Sequence, residues 1–296
     1  MTNPTSDVLS RFLSKTGSTL KGLIKVALQS RRCTVTPSDR HGDKSLIIMG
    51  NGPSLSESLD MYPEQFKAIP LMAVNFAANT PVFNKLKPEY YIIADPHFFT
   101  SGIDENVNRL YKNIEAVDWN ITLFIPCKFF SSVKISNPLV TLRGFNPIGI
   151  EGFSAVTHPL FRIGRAMPRP RNVLIPAIMV GIRLGFKDIY LTGADHSWSK
   201  TLSVNELNEV ISVQPHFYKD DAKEQKRVDS VYRGIPIYKI MESFSVAFKA
   251  YHQINKYASA SGITIYNSTP DSFIDAFPRK SIADLEPTQV FLNEFL

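Results

Sequence analysis

Polar residues of this 296-residue chain collect where apolar runs stop, and that placement is the first sign of chemistry. The run Leu46–Met49 ends in Gly50, Asn51, Gly52, Pro53 and Ser54. Gly50 and Gly52 would let a backbone approach a phosphate or ribose, and Asn51 offers both donors and acceptors. Pro53 and Ser54 suit the start of a helix. Four later runs end the same way: LMAV in Asn75, YYIIA in Asp95, Pro96 and His97, IYLT in Gly193, Asp195 and His196, and ITIY in Asn267 and Ser268. In an open parallel sheet such exits share one edge, where α/β proteins bind ligands. Each residue alone would serve a turn equally well, because Asn, Asp, Ser and Gly are turn formers. Five exits together fit a nucleotide-sized site. The first turn is not the dinucleotide G-x-G-x-x-G fingerprint.

The elements that must position these residues alternate between short strands and helices from Lys44 onward, the pattern of a mostly parallel sheet. Strands are expected at Leu46–Met49, Leu71–Asn75, Tyr90–Ala94, Thr122–Pro126, Val140–Arg143, Ile189–Thr192 and Thr264–Asn267. Helices are expected at Ser56–Phe66, Ala77–Leu86, Asp104–Ala116, Asn172–Leu184, Val204–Ile211 and Tyr238–Ser261. The segment Asn172–Leu184 is apolar almost throughout, so it should lie buried beside the sheet. Residues 144–172 show no periodicity and read as a long loop, functional or mobile. Of its cations Arg162, Arg165, Arg169 and Arg171, Arg171 is a candidate for a phosphate or sugar carboxylate, which a guanidinium fork matches.

Ahead of this domain, Val8–Leu28 reads as an amphipathic helix, with Lys15, Lys21 and Lys25 on it, Arg31 and Arg32 after it, and no acid beyond Asp7. Packing on the domain or lying on an anionic membrane surface, through residues 8–32, would each fit that pattern. Residues 1–43 therefore read as an N-terminal segment and linker, 44–280 as the binding domain and 281–296 as a tail. The net charge of +6 favours anionic partners mildly. Basic residues are too dispersed for a nucleic-acid surface. Cys33 and Cys127 offer neither a disulfide framework nor a zinc site, which fits a reducing compartment. No apolar run approaches a membrane span and no secretory core is apparent, so a cytoplasmic or inner-face peripheral location is expected.

The order GNGPSL, a strand ending in Asn, a strand ending in Asp-Pro, and a buried helix running into LGFKDIYLTGAD resembles the bacterial sialyltransferases of glycosyltransferase family 42 and the wider MptE-like set. The resemblance covers about Lys44 to Arg279, with Gly50–Leu55 and Leu184–Asp195 its specific stretches. It implies a Rossmann-like, GT-A-like variant with helices on both faces of the sheet, a lid at about 196–236, a CMP-sugar donor, a glycan acceptor, no metal or other cofactor, and inversion at the anomeric carbon. Carried over by residue, Asn51 and Gly52 would line the nucleotide phosphate and ribose. Asn75 would contact the donor, and Asp195 matches an aspartate of the Gly-x-Asp turn. Asp95 stands where those enzymes have asparagine. His216, in Gln214–Tyr218, matches the catalytic base. Where the family places phosphate-binding tyrosines this chain has His196, Ser197 and Trp198, which leaves Tyr218, Tyr232, His97, His196 and Arg171 as candidates for phosphate or acceptor contacts.

An inverting transfer needs a base for the acceptor hydroxyl, and histidine suits that at neutral pH. No D-x-D metal motif appears. Two alternatives stay open: an MptE-like pyrophosphokinase using Mg-ATP, with Asp95 and Asp195 at the phosphates, and a membrane-recruited nucleotide-binding module without turnover. Oligomer formation is compatible with either.

Overall fold

Apolar runs with no alternation become strands covered on both faces. The computed structural model describes residues 4–32, 44–100, 104–211 and 234–285. Strands β1 (Ser45–Met49), β2 (Leu71–Val74), β3 (Tyr90–Ile92), β4 (Ile121–Pro126), β5 (Val140–Phe145) and β6 (Asp188–Thr192) join the last long strand, β9 (Thr264–Asn267), in one seven-stranded sheet. Its order is β5-β4-β3-β2-β1-β6-β9, and every pairing in it is parallel. The chain builds outward from β1 to β5, then returns to the other side of β1 with β6. The point where that direction reverses lies between β1 and β6.

Successive side chains of a strand point to opposite faces, and the core divides accordingly. Leu46 and Ile48 face one layer, Ile47 and Met49 the other. The first layer is closed by α7 (Ser154–Arg162), α8 (Leu174–Arg183) and α9 (Ile237–Ala260). Short helices α2 (Ser54–Met61), α3 (Pro63–Ala68), α4 (Pro81–Leu86) and α5 (His97–Thr100), with the longer α6 (Glu105–Glu115), cover the second. Helix α8 is buried along its length, as its composition requires. Ile282 and Leu285 also pack into the second layer.

Several expected boundaries are corrected. The single helix expected over Ser56–Phe66 is two, because Pro63 removes an N–H and opens a new first turn. Ala77–Leu86 is split likewise: Asn75–Asn79 is a 3-10 turn, and Pro81 starts α4. The expected helix Val204–Ile211 is an antiparallel hairpin of β7 (Ser203–Val204) and β8 (Val210–Ile211). Asn205 Oδ1 accepts from the N–H groups of Leu207 and Glu209, and Asn208 takes the left-handed conformation at φ +59°, so local amide chemistry overrides the helical spacing. The long loop of 144–172 contains α7 and a parallel bridge in which Met167 donates to Ile148 O and Ile150 donates to Met167 O. Pro159 inside α7 hid that helix from a reading of periodicity.

The N-terminal helix α1 (Pro4–Gln29) docks through a narrow line of small residues. Thr19, Gly22 and Val26 are buried, and the Thr19 hydroxyl accepts from the Phe153 N–H at 3.1 Å. A Cβ on Gly22 would fall 2.3 Å from Ile150 Cγ1. Beyond the helix, Asn146 exchanges hydrogen bonds with the Arg31 backbone on both its N–H and C=O. Among the described residues no helix is long and apolar enough to cross a membrane.

Candidate functional site

At the reversal between β1 and β6 a cleft of about 580 Å³ opens over the carboxyl ends of the strands. Its floor is the two exits themselves, held together by backbone hydrogen bonds from Gly50 N–H to Thr192 O (2.7 Å) and from Gly52 N–H to Gly193 O (2.8 Å). Gly193 takes φ +62°, and a Cβ there would lie 2.5 Å from Gly50 O. A Cβ on Gly52 would lie 1.9 Å from Asp195 Oδ2. The space left by these glycines is therefore taken by the neighbouring exit rather than left open to a ligand.

Asp195 completes that lock. Its carboxylate accepts from the Ser54 hydroxyl at 2.8 Å and from the Ser54 N–H at 3.4 Å, so the chain's own anion sits at the start of α2. Asn51 Nδ2 donates to Val74 O at 3.3 Å and ties the first exit to β2. Asn75 follows in the left-handed region, φ +46°, which asparagine tolerates better than most side chains. It lines the cleft, and its Oδ1 is buried with no hydrogen-bond partner.

The remaining walls include Asp95 and two further parts. One is cationic: Lys128, just past β4, and Arg171, just before α8, line the cleft with no carboxylate partner among the described residues. Lys128 Nζ rests 4.4 Å from the centre of the Phe129 ring. The other wall is aromatic, with Trp198 and Phe244 at ring-centroid distance 5.4 Å. His196 stacks 4.2 Å from Trp198, and its Nε2 lies 2.6 Å from the Tyr251 hydroxyl and 3.3 Å from Asn172 Nδ2. The Tyr251 hydroxyl donates to Asn172 Oδ1 at 3.0 Å, and that same oxygen accepts from the Leu174 N–H at the start of α8. Burial drives the His196 pKa down to about 3 and the Tyr251 pKa well up, so both groups are neutral at ordinary pH. His196 is thus a fixed hydrogen-bonding and stacking group, too weakly basic to take a proton from an acceptor.

Of the residues singled out in the sequence, the cleft gathers Gly50, Asn51, Gly52, Pro53, Asn75, Asp95, Pro96, Arg171, Gly193, Asp195 and His196. Others lie apart from it. Ser54 is committed to Asp195. Asn267 holds its own turn, donating to Ile274 O and accepting from the Thr269 N–H, while the Ser268 hydroxyl is buried beside it. His97 pairs with Asp104 at 2.8 Å. Against the opposing pull of desolvation, hydrogen bonds from the Val107 and Asn106 N–H groups and from His97 hold the Asp104 carboxyl below its usual range. His216, Tyr218 and Tyr232 lie outside the described residues. Lys128, Asn172, Trp198 and Phe244 are cleft residues absent from the candidates read in the sequence. Asn172, placed two residues ahead of an apolar helix, carried the signal of a cap, and Trp198 stood at the position of the resembled family's tyrosines.

A Rossmann-like α/β sheet with a cleft at its reversal point is the class that fold and site define. No family model matches the chain, and no curated protein matches it. Among solved structures it is similar to the MAf glycosyltransferase from Magnetospirillum magneticum AMB-1, with a TM-score of 0.50 and 10% identity over 92% of this chain. The chain spans 39% of the length of that structure. The likeness supports a glycosyltransferase-like fold, and does not extend to the sialyltransferase family whose motifs the sequence resembles.

Proposed function

We propose that this chain is a glycosyltransferase that binds a nucleotide sugar in the cleft between β1 and β6 and passes the sugar to a glycan acceptor. The observation that carries the reading is the charge layout of the cleft. Lys128 and Arg171 line the cavity without a carboxylate partner among the described residues, Ser54 fixes the Asp195 carboxylate on the floor by hydrogen bonds, and Asp95, on the same cavity, accepts from the His97 N–H. These are the groups that an anionic ligand in the cleft would meet. Such cations would stabilise the charge that grows on a departing nucleotide phosphate, and Trp198 with Phe244 offers faces for a base or sugar ring. The orphaned Asn75 Oδ1 waits for a donor such as a ribose hydroxyl or an exocyclic amine.

The finer reading keeps a CMP-activated donor carrying sialic acid or a related sugar, no metal, and inversion, with His216 taking the acceptor proton as the hydroxyl attacks the anomeric carbon. In the cleft the Asp195 carboxylate accepts from Ser54 and Asp95 accepts from the His97 N–H at 2.8 Å, and metal dependence is read by the assay below.

Thermal unfolding in the presence of CMP, UDP, GDP and ATP, each with and without Mg²⁺, tests this. A ligand at 100 times its dissociation constant stabilises the fold by about 2.7 kcal/mol. Stabilisation by CMP without metal is expected, and His216→Ala should keep it while abolishing transfer. Stabilisation by Mg-ATP alone would instead indicate pyrophosphate transfer.

A further inference from the structure

Helix α1 docks through a narrow line of residues and a contact of the Phe12 ring with Phe153 at a centroid distance of 5.5 Å, and most of its remaining apolar surface is open. Leu9, Phe12, Leu13, Leu20, Ile24 and Leu28 are between 53% and 80% exposed. At 100° per residue these positions fall in one arc beside the docked line of Thr19, Gly22 and Val26. Lys21 and Lys25 lie at the far border of the arc and Lys15 on the azimuth of the docked line, one turn before Thr19, all exposed, and Arg31 and Arg32 are exposed just past the helix end. No carboxylate occurs between residues 8 and 32. A second copy of this chain would bring the same positive charges against these, whereas a layer of anionic headgroups over hydrocarbon complements both the cations and the apolar arc.

We propose that α1 is a membrane-surface anchor, lying in the plane of an anionic bilayer with its open apolar arc in the headgroup–acyl boundary. The docking contacts then fix how the domain hangs from that surface. The Arg31 backbone is bonded to Asn146, and the Arg32 carbonyl lies 3.9 Å from the Cys127 sulfur. The neighbours of those two residues, Pro147 and Lys128, form part of the cleft wall. The anchor is thereby coupled to the side of the cleft that carries its positive charge. This inference rests on α1 alone and stands whether or not the cleft transfers a sugar.

Co-sedimentation of the full chain with phosphatidylcholine vesicles, with and without added phosphatidylglycerol, is the test. Binding only to the anionic vesicles, weakened by salt, is expected. Leu13→Glu/Ile24→Glu should abolish it with thermal unfolding unchanged, because both positions are exposed. Lys21→Gln/Lys25→Gln should weaken it ~25-fold, about fivefold for each charge removed. Absence of binding by the unaltered chain would overturn the proposal, as would binding insensitive to both pairs of substitutions. A concentration-dependent dimer that Leu13→Glu/Ile24→Glu dissolves, with no vesicle association, would reassign the face to self-association.

Discussion

At the scale of single residues, Asn75 combines a backbone role and a proposed binding role that one substitution can separate. Glycine at position 75 keeps the positive φ without strain but removes the side-chain amide. Asn75→Gly should therefore fold with little loss of stability while binding CMP about tenfold more weakly, the value of one hydrogen bond near 1.4 kcal/mol. Calorimetric titration that finds unchanged affinity would detach Asn75 from the ligand. His196 gives a second test, through pH. Its pKa in the fold is about 3 because burial disfavours the charged ring, whereas the unfolded chain titrates near 6.5. Between those values the unfolded state binds the extra proton, so stability is fully present above pH ~6.5 and falls as pH drops toward 3. Relative to His196→Gln, unfolding free energy should decline by up to about 1.4 kcal/mol per pH unit over that window. Parallel pH curves for the two proteins would show that the ring is not held neutral. Residue types at the strand exits were legible in the sequence. Their partners were not: nothing in Gly50–Ser54 reveals that Asp195, over a hundred positions away, occupies the space and the hydrogen-bonding groups that a phosphate would use.

At the scale of elements, α1 contains two glycines of opposite meaning. Gly17 has nothing within 4 Å of where a Cβ would go, whereas at Gly22 a Cβ would press into buried Ile150. Gly17→Ala should therefore stabilise the helix by up to about 1 kcal/mol through propensity. Gly22→Val should cost about 1–3 kcal/mol by overpacking and loosen the helix from the domain. Denaturant unfolding gives the sign of each, and protease cleavage at Lys21 and Lys25 should accelerate in Gly22→Val only. Equal behaviour of the two variants would contradict the docked line. In the sequence both glycines merely weaken a helix. The strands of the sheet were readable because unbroken apolar runs such as Leu46–Met49 have no reason to exist unless both faces are covered. The β7–β8 hairpin was not, since Asn205 and Asn208 act through hydrogen bonds and a positive φ, neither of which leaves a period in the sequence.

At the scale of the whole molecule, what makes a site is strand order. Five exits were expected to share an edge, and they do, but the cleft forms where the chain reverses between β1 and β6, and β9, on the outer side of β6, leaves Asn267 and Ser268 out of it. A sequence gives the exits in chain order and is silent on their spatial order. The same geometry brings Lys128, from one side of the sheet, and Arg171, from the approach to α8, to a common cavity whose floor carries Asp195, hydrogen-bonded to Ser54. If this pair is the anion site, the cleft should distinguish ligands by their phosphate. A charge-assisted hydrogen bond is worth about 1.5–3 kcal/mol, so CMP should bind at least ~10-fold more tightly than cytidine. In Lys128→Gln/Arg171→Gln that gap should close while cytidine affinity stays level, because Asn75 and the Trp198–Phe244 wall are untouched. Titrations of both ligands against both proteins decide the matter. A preference for CMP that survives the double substitution would place the phosphate elsewhere, and weaker cytidine binding would mean that the two cations shape the cleft instead of reading charge.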